Sequence, residues 1–280
     1  MLSRAYAKIN LSLDITGVRE DGYHTLESIF LPLDFYDELS IEKADNMSFE
    51  CNLPFIAFNS SNTVYQAIEL MKKEYKIEDN FKIKLKKHIP TKAGLGGGSS
   101  DGAAAIRLIN RMYGLHLCKE KVQELCLKIG ADVLFTYYNR PAFVSGIGEK
   151  IEFINLKKKY YVLLVKPRYG VSTSECYRLI GDNPKSHPDI HSLRSALENG
   201  DDYYEFLGNS MEEAAISLLP DIQKVKDSIM EAGAEFALMS GSGSTVFTMS
   251  EDEELIKKIY KSLEGKGYFI RHTEILTFKN

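Results

Sequence analysis

The chain has 280 residues, 44% of them hydrophobic and 26% charged, with a formal net charge of −4. That length can bury two modest cores and the balance is that of a soluble globular protein, while the acidic excess argues against general nucleic-acid binding, so an anionic ligand must be met by local positive charge. No apolar run approaches the roughly 18 residues of a membrane span, and Met1-Leu2-Ser3-Arg4 leads into an alternating strand rather than a signal-peptide core. A cytoplasmic protein of one or two domains, with no membrane and no nucleic-acid partner, is therefore expected.

In chain order, Ala5 to Ile15 alternates: Ala5, Ala7, Ile9, Leu11, Leu13 and Ile15 on one face, Tyr6, Lys8, Asn10, Ser12 and Asp14 on the other. This predicts a strand with one buried face, from whose other side Lys8 and Asn10 project together, either into a site or into solvent. Asp21-Gly22 marks a turn, and Tyr23, His24 and Phe30 form an aromatic cluster that suits a core or a planar ligand. Strands follow at Thr25 to Leu33, Glu38 to Ile41 and Met47 to Cys51, then a helix from Ser61 to Glu74 with Asn59, Ser60, Ser61 and Asn62 as possible caps.

Between a strand at Phe81 to Lys87 and a helix ending near Tyr113-Gly114 lies Ile89-Pro90-Thr91-Lys92-Ala93-Gly94-Leu95-Gly96-Gly97-Gly98-Ser99-Ser100-Asp101-Gly102. Such a glycine-rich entry to a helix is either a flexible linker or a phosphate-holding loop; its place between a strand and a helix favours the loop, whose backbone N–H groups approach an anion closely while the helix dipole favours negative charge. Ser99 after Gly98 excludes a Walker A loop, and Ser99 five residues after Gly94 excludes the dinucleotide fingerprint. Side chains should be poorly tolerated where that backbone meets phosphate, Gly97 included.

A helix from Lys119 to Ile129 with Gly130 as its stop precedes Asp132, a carboxylate among apolar residues that either caps a helix or works in a site. The basic run Leu156-Lys157-Lys158-Lys159 places a domain boundary between 156 and 157. Beyond it, a strand at Tyr160 to Val165, a helix from Pro220 to Gly233, strands at Glu235 to Met239 and Thr245 to Met249, a helix at Asp252 to Leu263 and a strand at Tyr268 to Thr273 follow the split βαβ, ferredoxin-like order. Ser240-Gly241-Ser242-Gly243-Ser244-Thr245 reads first as a hairpin turn. His187 and His191 flank Pro188 in what reads as solvated linker, and Cys51, Cys118, Cys126 and Cys176 lack metal-ligand spacing and read as buried reduced thiols.

Four ordered motifs spanning nearly the whole chain resemble the GHMP kinase superfamily: Ala7-Lys8-Ile9-Asn10-Leu11 with Arg19-Glu20-Asp21-Gly22-Tyr23-His24, then Pro90 through Ala105, Gly130-Ala131-Asp132-Val133, and Ser240-Gly241-Ser242-Gly243. The Asp-Gly-Tyr-His segment resembles the branch acting on 4-diphosphocytidyl-2-C-methyl-D-erythritol. The resemblance implies an α+β fold of two domains, 1–156 like the second domain of ribosomal protein S5 and 157–280 ferredoxin-like, with both substrates in the cleft between them. It implies transfer of the ATP γ-phosphate to the 2-hydroxyl of that acceptor, by a monomer or homodimer.

By the same resemblance Asp132 is the general base, Lys8 orients the hydroxyl and offsets charge, and Asn10 positions the substrate. Pro90, Gly94, Leu95, Gly96, Gly97, Gly98, Ser99 and Ser100 belong to the ATP loop, with Mg²⁺ near Ser100, and Asn62 stands where the family contacts adenine. His24 bonds the cytosine, which Tyr23, Phe30 and Tyr177 shape or stack upon. Two positions depart from the family pattern: Leu134 replaces its usual proline and Gly102 its usual alanine. A homoserine, mevalonate or sugar kinase of the superfamily would keep the ATP loop but not the cytosine-reading residues, and a non-catalytic nucleotide-binding relative would need neither Lys8 nor Asp132.

Overall fold

The protein is described by a computed structural model over residues 1–181, 184 and 186–277. Along the chain lie β1 (Leu2–Val18), β2 (His24–Ala44), β3 (Ser48–Cys51), α1 (Thr63–Tyr75), β4 (Asn80–Lys86), α2 (Gly97–Tyr113), α3 (Lys119–Leu127), α4 (Val133–Tyr138), β5 (Ala142–Gly146) and β6 (Lys150–Phe153). They are followed by β7 (Tyr161–Lys166), α5 (Thr173–Ile180), α6 (Ile190–Asn199), α7 (Glu212–Leu218), α8 (Asp221–Glu231), β8 (Leu238–Met239), β9 (Val246–Ser250), α9 (Glu253–Leu263) and β10 (Phe269–Glu274). Two compact units interleave along this order: Met1–Ala7, Phe35–Pro90 and Gly96–Asn139 in one, Lys8–Asp34, Thr91–Leu95 and Arg140–Asn280 in the other.

In the first unit the second half of β2 pairs antiparallel with β4, Leu39 opposite Leu85 and Ile41 opposite Ile83, and β3 adds to β4 in parallel. The alternation in β4 is clean: Phe81, Ile83 and Leu85 are buried while Lys82, Lys84 and Lys86 face out, as a sheet with one covered face requires. Gly102 has a packing reason beyond its helical position. A Cβ there would lie 3.1 Å from the Thr63 Cβ and 3.3 Å from its carbonyl oxygen, so glycine lets α2 press against the start of α1.

In the second unit β10, β7, β9 and β8 form an antiparallel sheet in that order. Numbered along the chain it reads fourth, first, third, second, with α8 and α9 as the two crossovers, which is the ferredoxin-like arrangement expected. The first half of β2 pairs with β5, and β5 with β6. Neither β5 nor β6 is anticipated by the sequence reading.

Several expectations are corrected. The two strands expected at 25–33 and 38–41 are one strand of 21 residues. This strand, β2, changes partner along its length, pairing with β5 over Leu26 to Phe30 and with β4 over Glu38 to Ala44, while Leu33 between them bridges Ile275. The strand expected at 235–239 shrinks to Leu238–Met239, and α3 stops two residues before the predicted Ile129. The histidine-rich stretch is not linker throughout: Asp189 caps α6, its carboxylate accepting from the Ser192 N–H at 2.9 Å. Cys126 and Cys176 are buried, but Cys118 is exposed and Cys51 half-buried, and all four are free thiols.

Candidate active site

The strand carrying Lys8 is buried on both faces. Lys8 is 4% exposed and Asn10 1%, which corrects the expectation of one buried face and excludes two solvated polar residues. Burial of a cation demands partners, and Lys8 Nζ donates to Asn10 Oδ1 at 2.7 Å and sits 4.4 Å from the centre of the Phe30 ring. Asn10 is held in turn: its Nδ2 donates to Ser28 Oγ at 3.1 Å and its backbone N–H to Ser240 Oγ at 3.2 Å. Phe30 is itself buried at 1% exposure, so its ring serves as a floor for the ammonium group.

The second glycine loop joins β8 to β9, but a mere hairpin turn would be solvated, and residues 240 to 250 are buried throughout. Ser240 Oγ donates to the Gly94 carbonyl at 2.9 Å, the Thr245 N–H to the Ala93 carbonyl at 3.2 Å, and Asn209 Nδ2 to the carbonyls of Met239 and Gly241 at 2.8 and 2.9 Å. The Lys8 N–H bonds the Leu95 carbonyl at 3.0 Å. Gly94 has φ +72, and a side chain on it would run into the Ser240 carbonyl, so close approach of the two loops requires glycine there.

Gly96, at φ 67, is the left-handed cap from which α2 starts. The first intrahelical bond of this turn runs from the Ser100 N–H to the Gly96 carbonyl at 2.9 Å, which leaves the amides of Gly97, Gly98 and Ser99 without helical acceptors. No side chain caps this end and its first turn carries no acid, so its positive pole is open to an anion. Gly98 is exposed, and a Cβ on it would meet only Thr63 Oγ1, at 3.9 Å. Gly97 differs, since a Cβ would lie 3.0 Å from Ile89 Cγ2; intolerance of side chains at Gly97 is thus built into packing as well. Pro90 precedes the loop half-buried and Leu95 within it is buried at 1%. Ser100 is buried and its hydroxyl donates to the Gly97 carbonyl at 2.9 Å.

Asp132 occupies the residue before α4, a helix the sequence reading does not predict, and its side chain makes no capping bond to that helix. It is half-buried. His24 and Tyr177 come together from distant parts of the second unit, ring centres 4.8 Å apart at 33°, with His24 Nε2 3.1 Å from the Gly181 carbonyl oxygen. Tyr23 stands apart at 61% exposure. Asn62 is the cap of α1: its Oδ1 accepts from the Val64 N–H at 2.9 Å while its Nδ2 donates to the Ala57 carbonyl at 2.9 Å.

Residues 62–140 match the model of the GHMP kinases N terminal domain and residues 186–268 that of the GHMP kinases C terminal. A 4-diphosphocytidyl-2-C-methyl-D-erythritol kinase from Enterococcus faecalis is 42% identical over 269 residues, 95% of either chain. The chain belongs to the 4-diphosphocytidyl-2-C-methyl-D-erythritol kinase branch of the GHMP kinases. The Bacillus subtilis member is 38% identical over 95% of this chain and 93% of its own. A crystal structure of a 4-(cytidine 5'-diphospho)-2C-methyl-D-erythritol kinase superimposes with a TM-score of 0.82 at 29% identity, covering 99% of this chain and 100% of that one. A homoserine kinase from Cytophaga hutchinsonii, at TM-score 0.72, 19% identity and coverage of 97% and 94%, shares the fold.

The sequence reading of this GHMP kinase misses the polar groups that hold its loops. Lys87 Nζ bonds Asp37 and, at 2.6 Å, Asp101, all three buried under the start of α2. Burial raises the Asp101 carboxyl to about 7 against the opposing pull of Lys87. Burial also lowers the Lys87 ammonium, but Asp101 and Asp37 outweigh it and its pKa ends above the ordinary value. The signal in the sequence is slight: Ser28 and Asp37 are polar residues inside the apolar alternation of β2, a pattern that solvent exposure explains equally well until the partners are seen.

Proposed function

We propose that this GHMP kinase transfers the γ-phosphate of ATP to the 2-hydroxyl of 4-diphosphocytidyl-2-C-methyl-D-erythritol, a phosphorylation in non-mevalonate isoprenoid precursor synthesis. The acceptor assignment is carried by the 42% identity to a kinase of that name across 95% of both chains. A division into 1–156 and 157–280 is supported by family matches at 62–140 and 186–268, while the compact units of the fold interleave along the chain instead of meeting at one boundary. The enzyme is placed in the cytoplasm, acting on a small molecule. Among the described residues no helix is long and apolar enough to cross a membrane.

In this reading the acceptor oxygen bonds to the γ-phosphorus as the bond to the β,γ-bridging oxygen breaks, and Asp132 takes the hydroxyl proton. Lys8, its ammonium held by Asn10 and the Phe30 ring, orients the hydroxyl and offsets charge on the phosphoryl group, which is electrostatic stabilisation by a fixed donor. The open amides of Gly97, Gly98 and Ser99 hold phosphate oxygens, and Pro90, Gly94, Leu95 and Gly96 set the loop. Asn62 meets the adenine from the α1 cap. Tyr23, His24 and Tyr177 read and stack on the cytosine, and Phe30 shapes this region from below Lys8.

Mg²⁺ suits this donor set as a nucleotide-borne ion, since it takes most of its ligands from phosphate and water and needs few from protein. Among the described residues no cluster of three or more His, Cys, Asp or Glu side chains is arranged for a metal. Ser100 would supply a hydroxyl to it, and the ion would neutralise charge on the phosphates.

The test is a panel of acceptors with ATP and Mg²⁺, products identified by mass. Phosphorylation of the diphosphocytidyl substrate is expected, with free methylerythritol a very poor acceptor and a uridine analogue clearly worse, because a site built around donors and acceptors rejects the wrong base by up to about 10⁴-fold. His24→Ala should narrow the cytidine-to-uridine gap. Equal rates with both bases, or good turnover of homoserine or mevalonate, would reduce the assignment to the superfamily.

A further inference from the structure

Helix α4, which begins immediately after Asp132, has little of its own to hold it. It has six residues and no side-chain cap at its start, well short of the roughly 12–15 residues at which an isolated helix becomes even marginal. The carbonyls at its other end are met from a different helix. Arg107, in the middle of α2, donates from Nη1 to the carbonyls of Thr136 at 2.8 Å and Tyr137 at 3.1 Å, and from Nη2 to the carbonyl of Arg4 in β1 at 3.0 Å.

Among the described residues the hydrogen-bond partners of this guanidinium are all backbone oxygens. Burial lowers its pKa to about 10, so it remains a cation at neutral pH. A half-buried arginine with no carboxylate among its hydrogen-bond partners is a costly way to fill space, whereas a cation forked onto the terminal carbonyls of a helix is favoured by both hydrogen bonding and the helix dipole. Cys126, which faces the same region from α3, is a neutral thiol, its pKa pushed up to about 12 by burial.

We infer that Arg107 is a positioning residue for phosphoryl transfer: it straps the C-terminal end of α4 to α2, so that Asp132 and the open amides at the start of α2 are held in one frame. The two ends of the strap are the two parts of the site that must stay in register, Asp132 preceding α4 and Gly97 to Ser99 opening α2. The inference rests on the reading of Asp132 as the base.

The decisive variant is Arg107→Lys, which keeps the charge but cannot fork onto two carbonyls; Arg107→Met removes both. Misplacing a catalytic group by an ångström costs up to about 10²-fold, so kcat should fall by roughly 10-fold or more in each variant, while KM for ATP and for the acceptor stays within about twofold. Amide exchange over residues 133–139 should quicken while that of 103–113 is unchanged. Ile256→Ala in α9, a core deletion in the other unit, is the control for stability loss and should leave kcat near wild type. In an Asp132→Asn background, Arg107→Lys should produce no further loss, since residues that act as one are not additive. Normal kcat in Arg107→Lys, a kcat loss without faster exchange of α4, or an additive loss in the double variant would each overturn the inference. Should Arg107→Met fail to fold, Arg107→Lys carries the test. A fully active Asp132→Asn enzyme overturns the reading of the base instead, and that single variant reports it regardless of what Arg107 does.

Discussion

Lys8 is chemically one ammonium group, yet its surroundings decide what it can do. With Asn10 Oδ1 at 2.7 Å and the Phe30 face beneath it, it is a fixed cation that loses little by reorganising when charge develops nearby. Asp132→Asn and Lys8→Met should each lower kcat by roughly 10²-fold or more, as expected for a lost base and lost charge stabilisation, with ATP still binding by calorimetry. Wild-type turnover in either would remove that residue from the mechanism. At the glycine loop the structure moves the informative position from Gly97 to Gly98. A valine at Gly97 would press on Ile89 and confuse folding with binding, whereas Gly98→Val projects into open space. It should weaken ATP binding about tenfold or more, some 1.4 kcal/mol, with a melting temperature close to wild type. Unchanged ATP affinity would show that this backbone does not approach phosphate.

At the scale of elements, α1 and α4 contrast. The start of α1 is written locally: Asn62 satisfies the Val64 N–H with its own side chain. Asn62→Ala should therefore cost about 1 kcal/mol in chemical denaturation, and Asn62→Ser should recover most of that stability because serine caps as well. If the adenine contact is also real, KM for ATP rises in both variants, which separates the two roles; full recovery of KM by serine would confine Asn62 to capping. Helix α4 has no such local code. Its six residues follow a glycine stop, and what makes them helical is burial of Val133, Leu134 and Phe135 together with the strap from α2. A reading confined to local pattern ends at Gly130 for that reason. Strand β2 fails in the same way, since its first strand is expected to end at Leu33 and a second to start at Glu38, and only the change of partners along it shows that the two are one.

Over the whole molecule the free thiols offer a report on each unit by itself. Cys126 lies in the first unit and Cys176 in the second. Burial raises their pKa to about 12 and about 11, so neither supplies appreciable thiolate at neutral pH. Cys118 is exposed. A thiol reagent should label Cys118 quickly in native buffer and reach Cys126 and Cys176 only as their own units open with denaturant, read site by site by mass spectrometry. Rapid native labelling of Cys126 would contradict the packing of α3.

By itself the sequence determined the parts that repeat along the chain or depend on neighbours in it: the alternation of β1 and β4, the glycine-rich start of α2, the candidate caps of α1, and the βαββαβ order of the second unit. Four ordered motifs placed the chain among the GHMP kinases. Only the tertiary structure decided which polar residues are buried and what they hold, because hydrogen bonds such as Ser240 to Gly94, Lys87 to Asp101 and Arg107 to Thr136 join positions 146, 14 and 29 apart in sequence. An alternating strand predicts that Lys8 and Asn10 share a face; it cannot say whether that face meets water or protein, since periodicity records direction and burial depends on what the rest of the chain brings to that side.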